Sequence, residues 1–303
     1  MKLRLGVRGM MWLTLVIMMW GIISCRTQEE KCLEEVLSLP LANKEELQKV
    51  LDHYKDDSLK YQAVCFLIRN MPFHAGYEGN ALKHYYQYFD IYAQGKLGPH
   101  EVIDSLKENS FSVSQLKRIE DIANIDSSLL VQNVDWAFKV WREQPWGKNV
   151  SFDNFCEFVL PYRLGDEPLG FWREDIYKRY NPILDSIRLL PQAQDPLVAA
   201  KVLMDSLVVE QSHFTGLFPA GPHLGPSVVS WRAGSCREFA DLVVYVMRAL
   251  GIPCGTDYMA MRGDNNVPHF WNFTLDKDGK TYITEFPDPN WKRAVSMYNP
   301  KAK

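Results

Sequence analysis

The sequence predicts an α+β fold, with a helical first half and a second half in which one helix leads into a small antiparallel sheet. Three observations carry that expectation. Apolar residues recur at helical spacing from residue 31 to about 140. The stretch Ser235 to Pro253 holds both a helix start and a helix stop. Three β-type runs follow, the last two separated by Asp276-Lys277-Asp278-Gly279, a hairpin-turn sequence.

In the first half, Leu47, Val50, Leu51 and Tyr54 mark one helical face, and Leu59, Ala63, Phe66 and Leu67 a second. Pro72 ends the second helix, because proline crowds the residue before it out of the helical region. Leu82–Tyr92, Val113–Ile122 and Ser127–Trp141 are also expected to be helical, with residues 27–30 and 38–43 as linkers. Gln144-Pro145-Trp146-Gly147 is a break, and it divides a mainly helical region, 25–145, from a second domain, 146–303.

In the second half, Phe152–Leu160 is a short helix stopped by Pro161, and Trp172–Tyr180 and Pro196–Val209 are further helices. Pro219–Pro226, with three prolines and two glycines, is a loop. Ser235 then caps a helix, with Glu238 three residues on completing a capping box. Phe239, Val243, Met247 and Leu250 share one face of that helix, and Gly251 with Pro253 closes it. The strands are Thr256–Met261, His269–Leu275 and Thr281–Phe286.

The whole chain has 303 residues, 47% of them hydrophobic, which is ample for a buried core. A formal charge of −3 and a pI near 6.2 give no electrostatic reason to expect nucleic acid. No G-x-G-x-x-G, Walker, H-E-x-x-H or C-x-x-C pattern occurs, so neither a cofactor nor a metal is expected. His74 and His84, ten residues apart with no partner pattern, read as structural.

The first residues differ from the rest. Lys2, Arg4 and Arg8 precede an almost unbroken apolar run, Met10–Ile23, which is shorter than the roughly 20 residues of a spanning helix. That describes an export signal over 1–24, with an uncleaved anchor as the alternative. Ile-Ile-Ser-Cys at 22–25 resembles a bacterial lipobox, which makes Cys25 the lipidated residue. The implied location is the cell envelope, on the periplasmic or surface face of an outer membrane. Six cysteines occur, so removing Cys25 leaves an odd number in an exported protein. At least one thiol stays unpaired or pairs with another molecule.

Cys236 stands at the first helical position after its cap, where unpaired backbone N–H groups and the helix dipole favour negative charge. His269 opens the second strand, and Glu285 ends the third beyond a tight turn, where a carboxylate can face the imidazole and hold its tautomer. Each alone has a plain structural role: a packed cysteine, a satisfied histidine, a solvated acid. Their order and spacing together point to a cysteine nucleophile with a histidine base.

Gly234-Ser235-Cys236-Arg237-Glu238-Phe239-Ala240, continuing to Arg248-Ala249-Leu250-Gly251-Ile252-Pro253, resembles the core signature of the transglutaminase-like superfamily. His269-Phe270-Trp271-Asn272 is similar to that family's His-x-Trp strand. The resemblance covers about residues 190 to 290. It implies a papain-like cysteine proteinase fold with Cys236 as nucleophile, His269 as base and Glu285 as orienting acid. The family usually has aspartate in the third role, so Asp288 is the rival. Val159-Leu160-Pro161-Tyr162-Arg163, Glu167 and Trp172-Arg173 resemble segments of large Bacteroidota lipoproteins carrying this core, and read as scaffold around the cleft. Trp231, five residues before the nucleophile, offers an indole N–H to an oxyanion.

The implied chemistry is attack on an amide bond of a protein or peptide, through a thioester, with hydrolysis favoured over transamidation. The competing class is a lipid-anchored binding protein that keeps the core as an inactive scaffold.

Overall fold

The computed structural model describes residues 28–107, 111–262, 267–288 and 291–293. The signal segment and Cys25 lie outside the described residues. The protein is α+β, with many helices and small sheets, and divides into two compact units, 1–42 and 43–303. In the first unit, helix α1 spans Gln28–Leu37, so the expected linker at 27–30 is helical from Gln28 onward. Glu30 in its first turn suits the positive end of the helix dipole.

The second unit begins with α2 (Lys44–His53) and α3 (Ser58–Asn70). The Asp57 carboxylate caps α3 by accepting from the Lys60 N–H at 3.2 Å. Then come β1 (Ala75–Glu78), α4 (Ala81–Ala93), α5 (Pro99–Ser105), β2 (Lys117–Glu120), α6 (Asp121–Asn124) and α7 (Ser127–Glu143). Where the apolar spacing of 113–122 predicts a helix, the chain instead makes a turn capped by Ser112, then β2 antiparallel to β1, then the single turn α6. Asp121 decides this. It is buried, with its carboxylate 2.9 Å from Arg163 Nε and accepting from the Tyr162 hydroxyl at 2.7 Å, and that anchor overrides local periodicity.

After α7 the chain forms α8 (Phe152–Phe158), α9 (Arg173–Tyr180), α10 (Pro196–Val209) and the short pair β3 (His213–Phe214) and β4 (Ala233–Gly234), which run parallel. Between those two strands lies α11 (Val228–Trp231). The final part is α12 (Cys236–Ala249) and a meander β5 (Cys254–Met259), β6 (His269–Leu275), β7 (Thr281–Thr284), β8 (Lys292–Arg293).

Helix α12 is the centre of the unit. Every residue from Glu238 to Ala249 is buried, as expected of a helix packed on all sides. It touches α7, α9, α10, α11 and strands β4 to β6. One core joins residues on both sides of position 145, from Tyr85 and Phe89 to Phe239 and Val243, and the Trp146 indole donates to the Leu250 carbonyl at 2.9 Å.

Gly251 ends α12 at φ +75°, where an added Cβ would press on the Val140 backbone at 3.1 Å, so the position requires glycine.

Arg237, Asp241, Tyr245 and Arg248 form a polar stripe down the other side of α12. Tyr245 donates to Glu167 (2.7 Å), which also accepts from the backbone of Leu164 (2.7 Å) and Gly165 (2.8 Å). Arg248 donates to the carbonyls of Phe158 and Arg163, both at 3.1 Å. Arg173, almost wholly buried, binds the carbonyls of Val159, Leu160, Pro161 and Arg248. Residues 159–173 thus hold the central helix in place.

Candidate active site

The start of α12 is built by interlocking bonds. Glu238 is fully buried, and its carboxylate accepts from Ser235 N (2.9 Å), Ser235 Oγ (2.8 Å) and Arg237 Nε (2.7 Å). Ser235 Oγ accepts in turn from the Arg237 N–H at 3.3 Å, and the capping box is complete. Gly234, at φ +138°, makes room for this: a Cβ there would meet Glu238 at 2.5 Å. Cys236 follows, half-buried, at the first helical position.

The approach to Cys236 is held by residues that motif reading passes over. Arg232 adopts a left-handed backbone, φ 48°, a strained state for a non-glycine residue. Its guanidinium donates to the carbonyls of Leu207 and Gln211 and to Ser212 Oγ, and these bonds hold the strain. Backbone bonds from His213 N to Arg232 O (2.9 Å) and Thr215 N to Gly234 O (2.8 Å) pair the chain with segment 213–215. Three phenols of α4 then hang the following loop: Tyr92 donates to Phe214 O (3.1 Å), Tyr88 to Leu217 O, and Tyr85 to Pro222 O (3.0 Å). The spacing of 85, 88 and 92 puts them on one helix face, which was the available signal. The Trp231 ring packs against α4, 5.9 Å from Phe89 and 5.3 Å from Tyr86.

His269 and Glu285 come together: His269 Nε2 lies 2.9 Å from Glu285 Oε1. With Nε2 committed to the carboxylate, Nδ1 is the nitrogen left to serve as base. A tight turn joins α12 to β5, and β5 pairs with the strand that carries His269. Fourteen helical residues rise about 20 Å, and the six of β5 run back about 17 Å, ending at Met259, the partner of His269. The one-to-one register sends alternate β6 side chains to opposite faces. Asn272 faces α12, donating to Ala240 O at 3.0 Å, while His269 and Trp271 lie on the other face. Among the described residues, no hydrogen bond joins the Cys236 sulfur to His269. The histidine–acid pair is therefore assembled, without a hydrogen bond to the sulfur.

The other thiols are poor rivals. Cys156 and Cys254 are buried, and burial pushes both up to about 12. Among the described residues, no group of three or more His, Cys, Asp or Glu side chains could hold a metal ion.

A second histidine–acid pair sits on the polar stripe: His223 Nδ1 is 2.7 Å from Asp241 Oδ2, and the His223 N–H donates to Asp166 at 2.7 Å. Burial would lower the imidazole, but the Asp241 carboxylate outweighs it and holds His223 up at about 9. At neutral pH this ring is charged and cannot act as a base. No family model, curated protein or solved structure matches the chain.

Proposed function

We propose that this protein is a lipid-anchored, exported enzyme with a transglutaminase-like core, which cleaves amide bonds of proteins or peptides with Cys236 as nucleophile. One observation carries the reading: Cys236 heads a fully capped, buried helix, and the histidine and acid expected beside it are themselves paired, His269 Nε2 lying 2.9 Å from Glu285 Oε1. His269 takes the thiol proton as the sulfur attacks the carbonyl carbon, and returns it to the departing amine. Water, deprotonated by the same imidazole, then opens the thioester and releases the acid. The Cys236 backbone N–H, in the first turn, is placed to donate to the oxyanion. The reading requires the imidazole to reach the sulfur from the first position of β6.

That requirement is also what favours a second reading, an inactive binding protein on the same scaffold, because the sulfur and the imidazole are not hydrogen-bonded. Activity-based labelling decides between them. An electrophilic amide-mimic probe applied to the full chain should form its adduct on Cys236, located by mass spectrometry, and Cys236→Ala should abolish both adduct and turnover while the protein still folds. Turnover unchanged in Cys236→Ala would end the enzymatic assignment.

A further inference from the structure

Strand β5, which follows α12 and packs against it, has one edge without a partner strand among the described residues. The sheet order is β5-β6-β7-β8, so β5 pairs on one side only. Leu275 N donates to Pro253 O at 3.2 Å, which sets the phase of the ladder. In that phase, N–H and C=O groups of Gly255, Asp257 and Met259 face β6, and those of Thr256 and Tyr258 face outward. Among the described residues nothing bonds to these outward backbone groups. From Thr256 to Met261 there is no lysine and no proline, and Asp257 is the one charged side chain. Instead Tyr258, Met259 and Met261 are exposed large apolar side chains.

We propose that this edge takes up a peptide in extended conformation with apolar side chains, which adds as a further strand and is thereby presented to Cys236. The proposal rests on the reading of Cys236 as nucleophile and names its substrate class. Two residues that each present an N–H and a C=O outward at strand spacing are complementary to another extended backbone. Side chains of that added strand would lie beside Tyr258, whose ring packs on Phe270 at 4.7 Å. Strand β5 follows α12 directly and packs against it, so a strand added at this edge lies in the same layer as the helix that carries Cys236. A second copy of the chain is a poorer occupant, because a stable dimer buries roughly 1,200 Å² or more and this edge offers two residues.

The test uses the full chain, a short fluorescent peptide of alternating valine and phenylalanine, and the same peptide methylated at alternate amide nitrogens. Thr256→Pro removes one outward N–H and no ladder bond, as prolines on strand edges do. The plain peptide should bind the wild type, and Thr256→Pro or amide methylation should each weaken binding roughly tenfold, while Thr256→Pro leaves the melting temperature nearly unchanged. Equal binding of the methylated peptide, undiminished binding by a folded Thr256→Pro, or no binding to the wild type would each overturn the proposal. So would a wild-type dimer that Thr256→Pro dissolves, since the edge would then belong to a second copy. If Thr256→Pro does not fold, the methylated peptide still decides. Iodoacetamide labelling of Cys236 is read in parallel: loss of labelling specificity counts against the nucleophile, whereas loss of peptide pairing counts against the edge alone.

Discussion

At the scale of single residues, the thiols differ by position. Cys156 and Cys254 are held protonated by burial at neutral pH, whereas half-buried Cys236 opens α12, beside the unpaired backbone N–H groups of its first turn. Iodoacetamide near neutral pH should therefore alkylate Cys236 before Cys32 or Cys65, which are also half-buried but lie inside helices α1 and α3 rather than at a helix start. Peptide mapping over a time course checks this, and equal rates at the three sites would remove the case for an activated sulfur. Glu285 admits a separate test. Its side chain is about half exposed, so the ion pair with His269 adds at most about 1 kcal/mol to stability. Glu285→Gln keeps an acceptor near Nε2 but drops the charge that steadies the imidazolium. Turnover should fall roughly tenfold or more with the melting temperature almost unchanged. A variant with full activity would pass the third role to another acid, Asp288 first.

At the scale of elements, the start of α12 concentrates stability and site geometry in one motif. Ser235→Ala removes the cap and leaves one contact fewer to the buried Glu238 carboxylate, which should cost about 1 to 2 kcal/mol in denaturant unfolding. The same variant should slow Cys236 alkylation, because the first turn frays; unchanged stability would mean that Gly234 and Arg237 alone hold the turn. This motif was legible in the sequence, since a capping box needs only two residues at fixed spacing. Helix α10 and strand β6 lie at the residues their patterns mark. What local pattern could not convey was pairing over distance. Strand β2 looked helical because Val113, Leu116, Ile119 and Ile122 recur every third residue, yet Asp121 is fixed by Arg163 and Tyr162, more than forty positions on. Strands β3 and β4 have two residues each, too few for any period to register. The His269–Glu285 contact was legible from the hairpin, whereas the side of β6 on which His269 stands depends on which face meets α12. The bond from Asn272 to Ala240 settles that, and no spacing rule contains it.

At the scale of the whole molecule, α12 carries a polar stripe through the core, and Asp241 on that stripe pairs with His223. Groups around that imidazole act in both directions. Burial disfavours its charge, Asp241 favours it most, Arg237 opposes and Glu167 supports. The folded state holds His223 at about 9, above the ordinary 6.5 of the unfolded chain. A raised pKa means that the folded state binds the proton more tightly. The pair's contribution is therefore full below about pH 6.5 and is lost as pH rises through about 9. With a quarter of the His223 side chain open to water, the loss should be roughly 2 kcal/mol. Melting temperatures measured from pH 6 to 10 should fall across that window in the wild type. In His223→Gln the fall should be much smaller, from a lower starting value, because glutamine can still donate to Asp241 but carries no titrating charge. A wild-type profile that stays flat to pH 10, or a variant that falls just as steeply, would show that the stripe is held by Tyr245 and Arg248 without this charge.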